Sequence, residues 1–317
     1  MSTLDLVDPE LRDALDQRPK LRLSPDILPK SRAFVLQASA AEVKPNLPHI
    51  AVDEVRVKSQ FDAPTIRVLT YRPVAAEGLS PAILHVHGGG FVMGAPEMKD
   101  VENRILASEL KCAIFSVDYR LAPEAPYPAA LQDIHSVLVW LHANAEALGV
   151  DASRIGIKGE SGGGGVAAGA VLYARDQKGP PLAFQHLIYP MIDDRTAIRK
   201  DLNPNVGEFV WTQEHNLFGW RSLLGTDPGA QDVTPYAAAA RAENLAGLPP
   251  TFIAVGSLDL FLEENITYAE RLSRARVPVE FHLYPGAYHG FQFAAQARVS
   301  RQAEQDSRNA LRRFLHG

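Results

Sequence analysis

From residue 82 onward, short apolar runs of strand length alternate with segments of helical periodicity, and this alternation constrains the fold more than any other feature of the chain. Ala82–His87, Ala113–Val117, Ile155–Ile157, Phe184–Ile188, Thr251–Val255 and Val279–Tyr284 read as strands. Val101–Lys111, Ala129–Leu148, Gly164–Asp176, Leu262–Arg276 and Arg301–Leu315 read as helices. Strands joined through helices run parallel and are buried on both faces, so the pattern predicts an α/β fold with a mostly parallel central sheet flanked by helices. Ahead of it, Val52, Val55, Val57 and then Ile66, Val68, Thr70 alternate as two more strands, an antiparallel pair at one edge. The chain has 317 residues, 46% of them hydrophobic, which suits one large domain with a full-sized core.

Two stretches stand outside the alternation. Residues 1–46 hold a short helix expected over Pro9–Gln17, with Asp8 as N-cap, and a second from about Ser31 to Val43. Prolines at 19, 25, 29, 45 and 48 break up the rest. Residues about 190–235 begin polar and acidic and then bring Phe209, Trp211, Phe218 and Trp220 close together. That insertion reads either as a lid or as a surface helix whose aromatics pack on the domain. Joined in space with residues 1–46 it forms a helical cap over a catalytic core of about 47–189 and 236–317.

The net charge of −5 gives no basic surface for nucleic acid or an anionic membrane. Cys112 is the only cysteine, which excludes an intramolecular disulfide and a cysteine-rich zinc site. The first eight residues are acidic where a signal peptide is basic, and no transmembrane stretch is evident, so a cytoplasmic location is expected.

The turn Gly159-Glu160-Ser161-Gly162-Gly163 sits between the strand ending at Lys158 and the small-residue helix from Gly164. A serine exposed on so sharp a turn needs neighbours without bulky side chains, and the following helix N-terminus offers the Gly162 N–H to developing negative charge. Ser161 is the candidate nucleophile. A serine hydroxyl needs a base, an acid to orient that base, and oxyanion donors. In such folds these lie just past the carboxyl ends of strands. His289 follows Val279–Tyr284 in a glycine-flanked loop, and Asp259 follows Thr251–Val255. Gly88-Gly89-Gly90 follow Ile83–Val86, and three glycines in a row are costly unless backbone amides must approach a substrate closely. The oxyanion donors are therefore assigned to the N–H groups of Gly88, Gly89 and Gly162, with His87 bracing the loop. Phe91, Met93, Phe209, Trp211 and Phe218 are candidate pocket or lid residues, or alternatively ordinary core aromatics and aliphatics.

His87-Gly88-Gly89-Gly90, Tyr119-Arg120-Leu121-Ala122-Pro123-Glu124, Gly159–Gly164, Asp259 and His289-Gly290-Phe291 together resemble the hormone-sensitive-lipase-like family of bacterial carboxylesterases, from about residue 50 to the C-terminus. The resemblance implies an α/β-hydrolase fold with a helical cap. It also implies hydrolysis of short- to medium-chain esters by Ser161, His289 and Asp259, with no cofactor and no metal. It gives the Tyr119–Glu124 segment a structural role. Amidase, lactonase or peptidase chemistry on the same fold, or a non-catalytic binding protein, are the alternatives. Two positions depart from the family pattern: Glu160 and Gly162 stand where aspartate and alanine are usual, and Leu260 replaces the proline after the triad acid, leaving that turn less fixed. The partner expected is a small-molecule ester, and pairing of the edge strand Val279–Tyr284 makes a homodimer possible.

Overall fold

Helix-length segments between successive strands force the chain to return in one direction, and the computed structural model, which describes residues 2–16, 22–74 and 78–317, shows the result. Its strands are β1 (Ile50–Val57), β2 (Ile66–Pro73), β3 (Ser80–Val86), β4 (Ala113–Asp118), β5 (Val150–Glu160), β6 (Gln185–Ile188), β7 (Thr251–Gly256) and β8 (Val279–Tyr284). They lie side by side in the order β1-β2-β4-β3-β5-β6-β7-β8. β1 and β2 pair antiparallel, as does β2 with β4. All remaining pairings are parallel. This is the mostly parallel sheet, with an antiparallel pair at one edge, that the alternation predicts.

The connections carry α3 (Asp100–Glu109), α4 (Ala129–Ala143), α5 (Gly162–Asp176), α6 (Gln213–Leu224) and α7 (Leu262–Arg274), and α8 (Arg298–His316) closes the chain; α1 (Pro9–Asp16) and α2 (Leu28–Ala41) precede the sheet. β3 and β7 are buried throughout, as strands covered on both faces must be. α5 is buried along most of its length because its glycines and alanines let its backbone lie close to its neighbours. β8 forms the far edge and leaves Leu283 46% exposed.

Element ends differ from expectation for identifiable reasons. β5 extends well beyond Ile155–Ile157 and runs up to the turn at Ser161. α4 stops at Ala143, short of Leu148, where the Asn144 side chain donates back to the Trp140 carbonyl at 2.8 Å. α2 starts at Leu28 rather than Ser31, with Pro29 in its first turn, where a missing N–H costs nothing. Asp8 Oδ1 accepts from the Glu10 N–H at 2.9 Å and caps α1 as expected. The expected end of that helix, Gln17, and the breaker Pro19 lie outside the described residues.

The two segments outside the alternation meet each other. Ser2 Oγ and the Thr3 N–H and Oγ1 all donate to the Glu208 carboxylate at 2.6–2.7 Å. Leu28 of α2 packs with Val92, Met93 and Ala122, and Phe218 of α6 lies against the same cluster. Arg32 of α2 donates to the carbonyls of Val92 and Ala122 and pairs with both oxygens of Glu124. At its other end the insertion is tied down by Asp194, which is fully buried and accepts from Arg241 at 2.6 and 2.8 Å. Both segments therefore rest on loops at the carboxyl ends of the strands. Among the described residues no helix is long and apolar enough to cross a membrane.

Candidate active site

The turn after β5 bends as sharply as its sequence implies. Ser161 has φ 53° and ψ −124°, a strained left-handed conformation for a residue with a side chain. Its backbone is clamped on three sides: its N–H donates to the Ile188 carbonyl at 2.9 Å, and its carbonyl accepts from the N–H groups of Gly165 and Met191 at 3.0 Å. Glycine is required around it by close approach. A methyl group on Gly163 would meet the His87 carbonyl oxygen at 2.1 Å, and one on Gly162 would meet the Phe91 nitrogen at 2.7 Å and Gly90 Cα at 2.9 Å. The second contact explains why alanine is absent at 162: here the glycine loop after β3 presses directly on the start of α5.

Three side chains from distant parts of the chain converge on this turn. Ser161 Oγ lies 3.0 Å from His289 Nε2, and His289 Nδ1 lies 2.8 Å from Asp259 Oδ2. Asp259 is fully buried, while Ser161 and His289 are 7% and 6% exposed. Asp259 Oδ1 accepts from the Phe261 N–H at 2.9 Å, so the carboxylate fixes its own turn. The Leu260 replacement therefore does not leave that turn loose. Its side chain is buried against Gly207 of the insertion, whose N–H donates to the Leu258 carbonyl at 3.0 Å.

The glycine loop lies alongside. Gly88 runs against the Glu160 carbonyl and Ser161 Cβ, and Gly89 and Gly90 take φ values of 130° and 58° that only glycine adopts easily. Among the described residues no acceptor is found for the N–H groups of Gly88, Gly89 or Gly162. His87 braces the loop. Its Nδ1 donates to the Gly88 carbonyl at 2.9 Å, and its ring stacks on Tyr119 at 4.3 Å. The Tyr119 hydroxyl in turn donates to the His87 carbonyl at 2.8 Å. Burial lowers the His87 pKa to about 4, so the ring is neutral. The rest of the Tyr119–Glu124 segment also has bracing contacts, since Arg120 pairs with buried Asp133 and the Ala122 N–H donates to the Phe91 carbonyl.

The apolar candidates divide. Trp211 lies against Gly90, its ring centre is 6.2 Å from that of His289, and its Nε1 donates to Asn216 Oδ1 at 3.3 Å. It is delivered by a tight turn in which the Trp211 N–H donates to the Phe209 carbonyl across Val210, at φ 63°. The Phe91 ring packs in the core, 2% exposed and 5.0 Å from Trp220. Met93 and Phe218 belong to the cluster beneath α2, and Phe209 packs toward Tyr288.

Several contacts were not anticipated. The Tyr189 ring meets His289 edge-on at 4.6 Å, and Phe261 does so at 5.2 Å. Tyr189 stands just past β6, so the rule that located His289 and Asp259 also points to it. Beneath the turn, Glu160 accepts from Lys158 and lies 3.1 Å from His85 Nε2, and Lys158 also reaches Glu102 at 3.1 Å. Lys158 and Glu160, two apart on a buried strand, must share a face, and that spacing was the available signal. Among the described residues no group of three or more His, Cys, Asp or Glu is placed to hold a metal ion.

A family model described as alpha/beta hydrolase fold matches residues 83–293. The chain is 33% identical to carboxylesterase NlhH of Mycobacterium tuberculosis over 312 residues, 98% of this chain and 97% of that protein. Esterase LipI of the same organism is 37% identical over 242 residues, 75% of this chain and 74% of that one. Among solved structures, a bacterial heroin esterase superposes with a TM-score of 0.94 at 37% identity, covering 100% of both chains.

Proposed function

This chain belongs to the α/β-hydrolase family and is a carboxylesterase, and we propose that Ser161, His289 and Asp259 carry its chemistry on short- to medium-chain esters. The observation that supports the site assignment is the relay from Ser161 Oγ to His289 Nε2 at 3.0 Å and from His289 Nδ1 to Asp259 at 2.8 Å, on a turn that holds the serine in a strained conformation. Ser161 Oγ attacks the ester carbonyl while His289 Nε2 takes its proton. The tetrahedral oxyanion is met by the N–H groups of Gly88, Gly89 and Gly162. His289 then gives the proton to the departing alkoxide, and the acyl group stays on Ser161. Water, deprotonated by the same imidazole, attacks the acyl-enzyme and releases the acid, returning the proton to Ser161. Asp259 keeps the imidazole in the tautomer that accepts at Nε2 and stabilises the imidazolium between steps. Loss of one oxyanion donor costs about 2.7–4 kcal/mol in comparable sites.

Residues 1–46 and 190–235 act as the cap in this reading, which their mutual contacts through Glu208 support, and Trp211 is the wall that the cap lends to the site. An apolar wall set this close to the nucleophile favours short aliphatic or aryl esters. A p-nitrophenyl ester series from acetyl to palmitoyl tests it. The expected result is a kcat/KM that peaks at short chains and falls toward palmitoyl, whereas a steady rise with chain length overturns the substrate assignment. Two copies pairing through the exposed β8 edge complete the proposal, and a monomeric mass in solution scattering would reject that part.

A further inference from the structure

Ser116, His85 and Lys158 stand in register on β4, β3 and β5, three neighbouring strands. Each of those strands leads into one of the loops of the active site: β4 into Tyr119, β3 into the glycine loop, β5 into Ser161. The His85 ring spans them. Its Nδ1 lies 2.7 Å from Ser116 Oγ, and its Nε2 lies 3.1 Å from Glu160 Oε2. The other oxygen of Glu160 accepts from Lys158. His85 is fully buried and Glu160 is 4% exposed. Burial opposes the charge on Glu160, but Lys158 and His85 outweigh it and hold the carboxyl well below the usual carboxylate range. Glu160 is therefore ionised, His85 donates to it from Nε2, and Glu160 is the residue directly before Ser161.

Buried ionic groups do little for stability compared with apolar packing of the same volume, but they are directional. Resting on the assignment of Ser161 as nucleophile and Gly88 and Gly89 as oxyanion donors, we propose that the buried His85–Glu160 bridge is a positioning device that locks the nucleophile turn to the glycine loop and so sets where Ser161 Oγ stands relative to the oxyanion donors. The backbone contacts agree with this, since Gly88 already lies against the Glu160 carbonyl and Ser161 Cβ. The hydrogen bond adds a second tie, one residue upstream of the nucleophile and three upstream of Gly88. Misplacement by about 1 Å in such a site costs of the order of 10² in rate.

The two halves of the histidine can be separated. In His85→Gln the amide reaches the position of Nε2 and keeps the link to Glu160; in His85→Asn it reaches only the position of Nδ1 and keeps the link to Ser116. The expected result for His85→Asn is a fall in kcat of about ten-fold or more at a KM within about two-fold of wild type, with the Ki of a trifluoromethyl ketone rising by the factor that kcat/KM loses. His85→Gln should retain kcat within about three-fold. Glu160→Asp supplies a second variant should His85→Asn not fold: it keeps the charge beside Lys158 but withdraws the carboxylate from His85, and it should lower kcat in the same way. Equal effects of His85→Gln and His85→Asn, a loss confined to KM, or Glu160→Asp at wild-type kcat overturns the inference. An active Ser161→Ala variant would instead overturn the site assignment on which it rests.

Discussion

Ser161→Ala is expected to lose activity on p-nitrophenyl butyrate by a factor of about 10⁴ or more while remaining folded. The folded state should survive because the strained turn is held by backbone, not by the hydroxyl: the Ser161 N–H and carbonyl make three hydrogen bonds that alanine retains. The chemical loss is large because the substitution removes the oxygen that His289 is placed to activate. His289 Nε2 is 3.0 Å from the oxygen that the substitution removes. Groups that act as one unit are strongly non-additive, so His289→Ala added to Ser161→Ala should cost little further. Kinetics with circular dichroism on the same samples checks both points, and a double variant far below the single one would mean that the histidine has separate work.

Asp259→Asn should lower kcat by about 10⁴ with KM little changed, a loss out of proportion to the exchange of one atom. The local hydrogen bonds explain why. Asp259 Oδ1 accepts from the Phe261 N–H at 2.9 Å, and Oδ2 faces His289 Nδ1 at 2.8 Å. An asparagine keeps the first bond by turning its carbonyl oxygen to Phe261, which leaves its amide NH₂ facing Nδ1. Nδ1 must then accept, the ring proton moves to Nε2, and Nε2 can no longer take the proton of Ser161. A loss of less than about ten-fold would show that the tautomer is held by something other than Asp259.

The parts of the molecule that were legible in sequence share a position: each lies within a few residues of the carboxyl end of a strand. Ser161 follows β5 directly, and Asp259, His289 and the glycine loop lie a few residues past β7, β8 and β3, where the sheet has finished and its side chains no longer dictate identity. Polar residues at those points are not called for by the sheet's apolar packing and so signal chemistry, and the glycines mark where backbones approach closely. The alternation of strand and helix was equally readable because burial on both faces leaves a continuous apolar mark in β3 and β7.

What was not legible depends on contacts made across the fold. Phe91 and Trp211 look alike in sequence and both are buried, but one packs on Trp220 and the other on the glycine loop, 6.2 Å from the His289 ring. The difference is made by the turn at Val210, whose positive φ is unusual for a β-branched residue and carries no turn signature. The His85–Glu160 bridge joins residues 75 apart that neighbouring strands bring into register. Pro29, read as a helix breaker, instead sits in the first turn of α2, because the same residue ends a helix or begins one according to which side the helix lies.

Mass spectrometry of the protein after reaction with diethyl p-nitrophenyl phosphate tests the central assignment most directly. The reagent transfers one diethylphosphoryl group to an activated serine and mimics the tetrahedral intermediate. The site described here predicts one adduct per chain, on the peptide containing Ser161, formed in step with the loss of esterase activity and absent from His289→Ala at the same exposure. Inactivation with the adduct on any other residue, or full activity after stoichiometric labelling of Ser161, would contradict it.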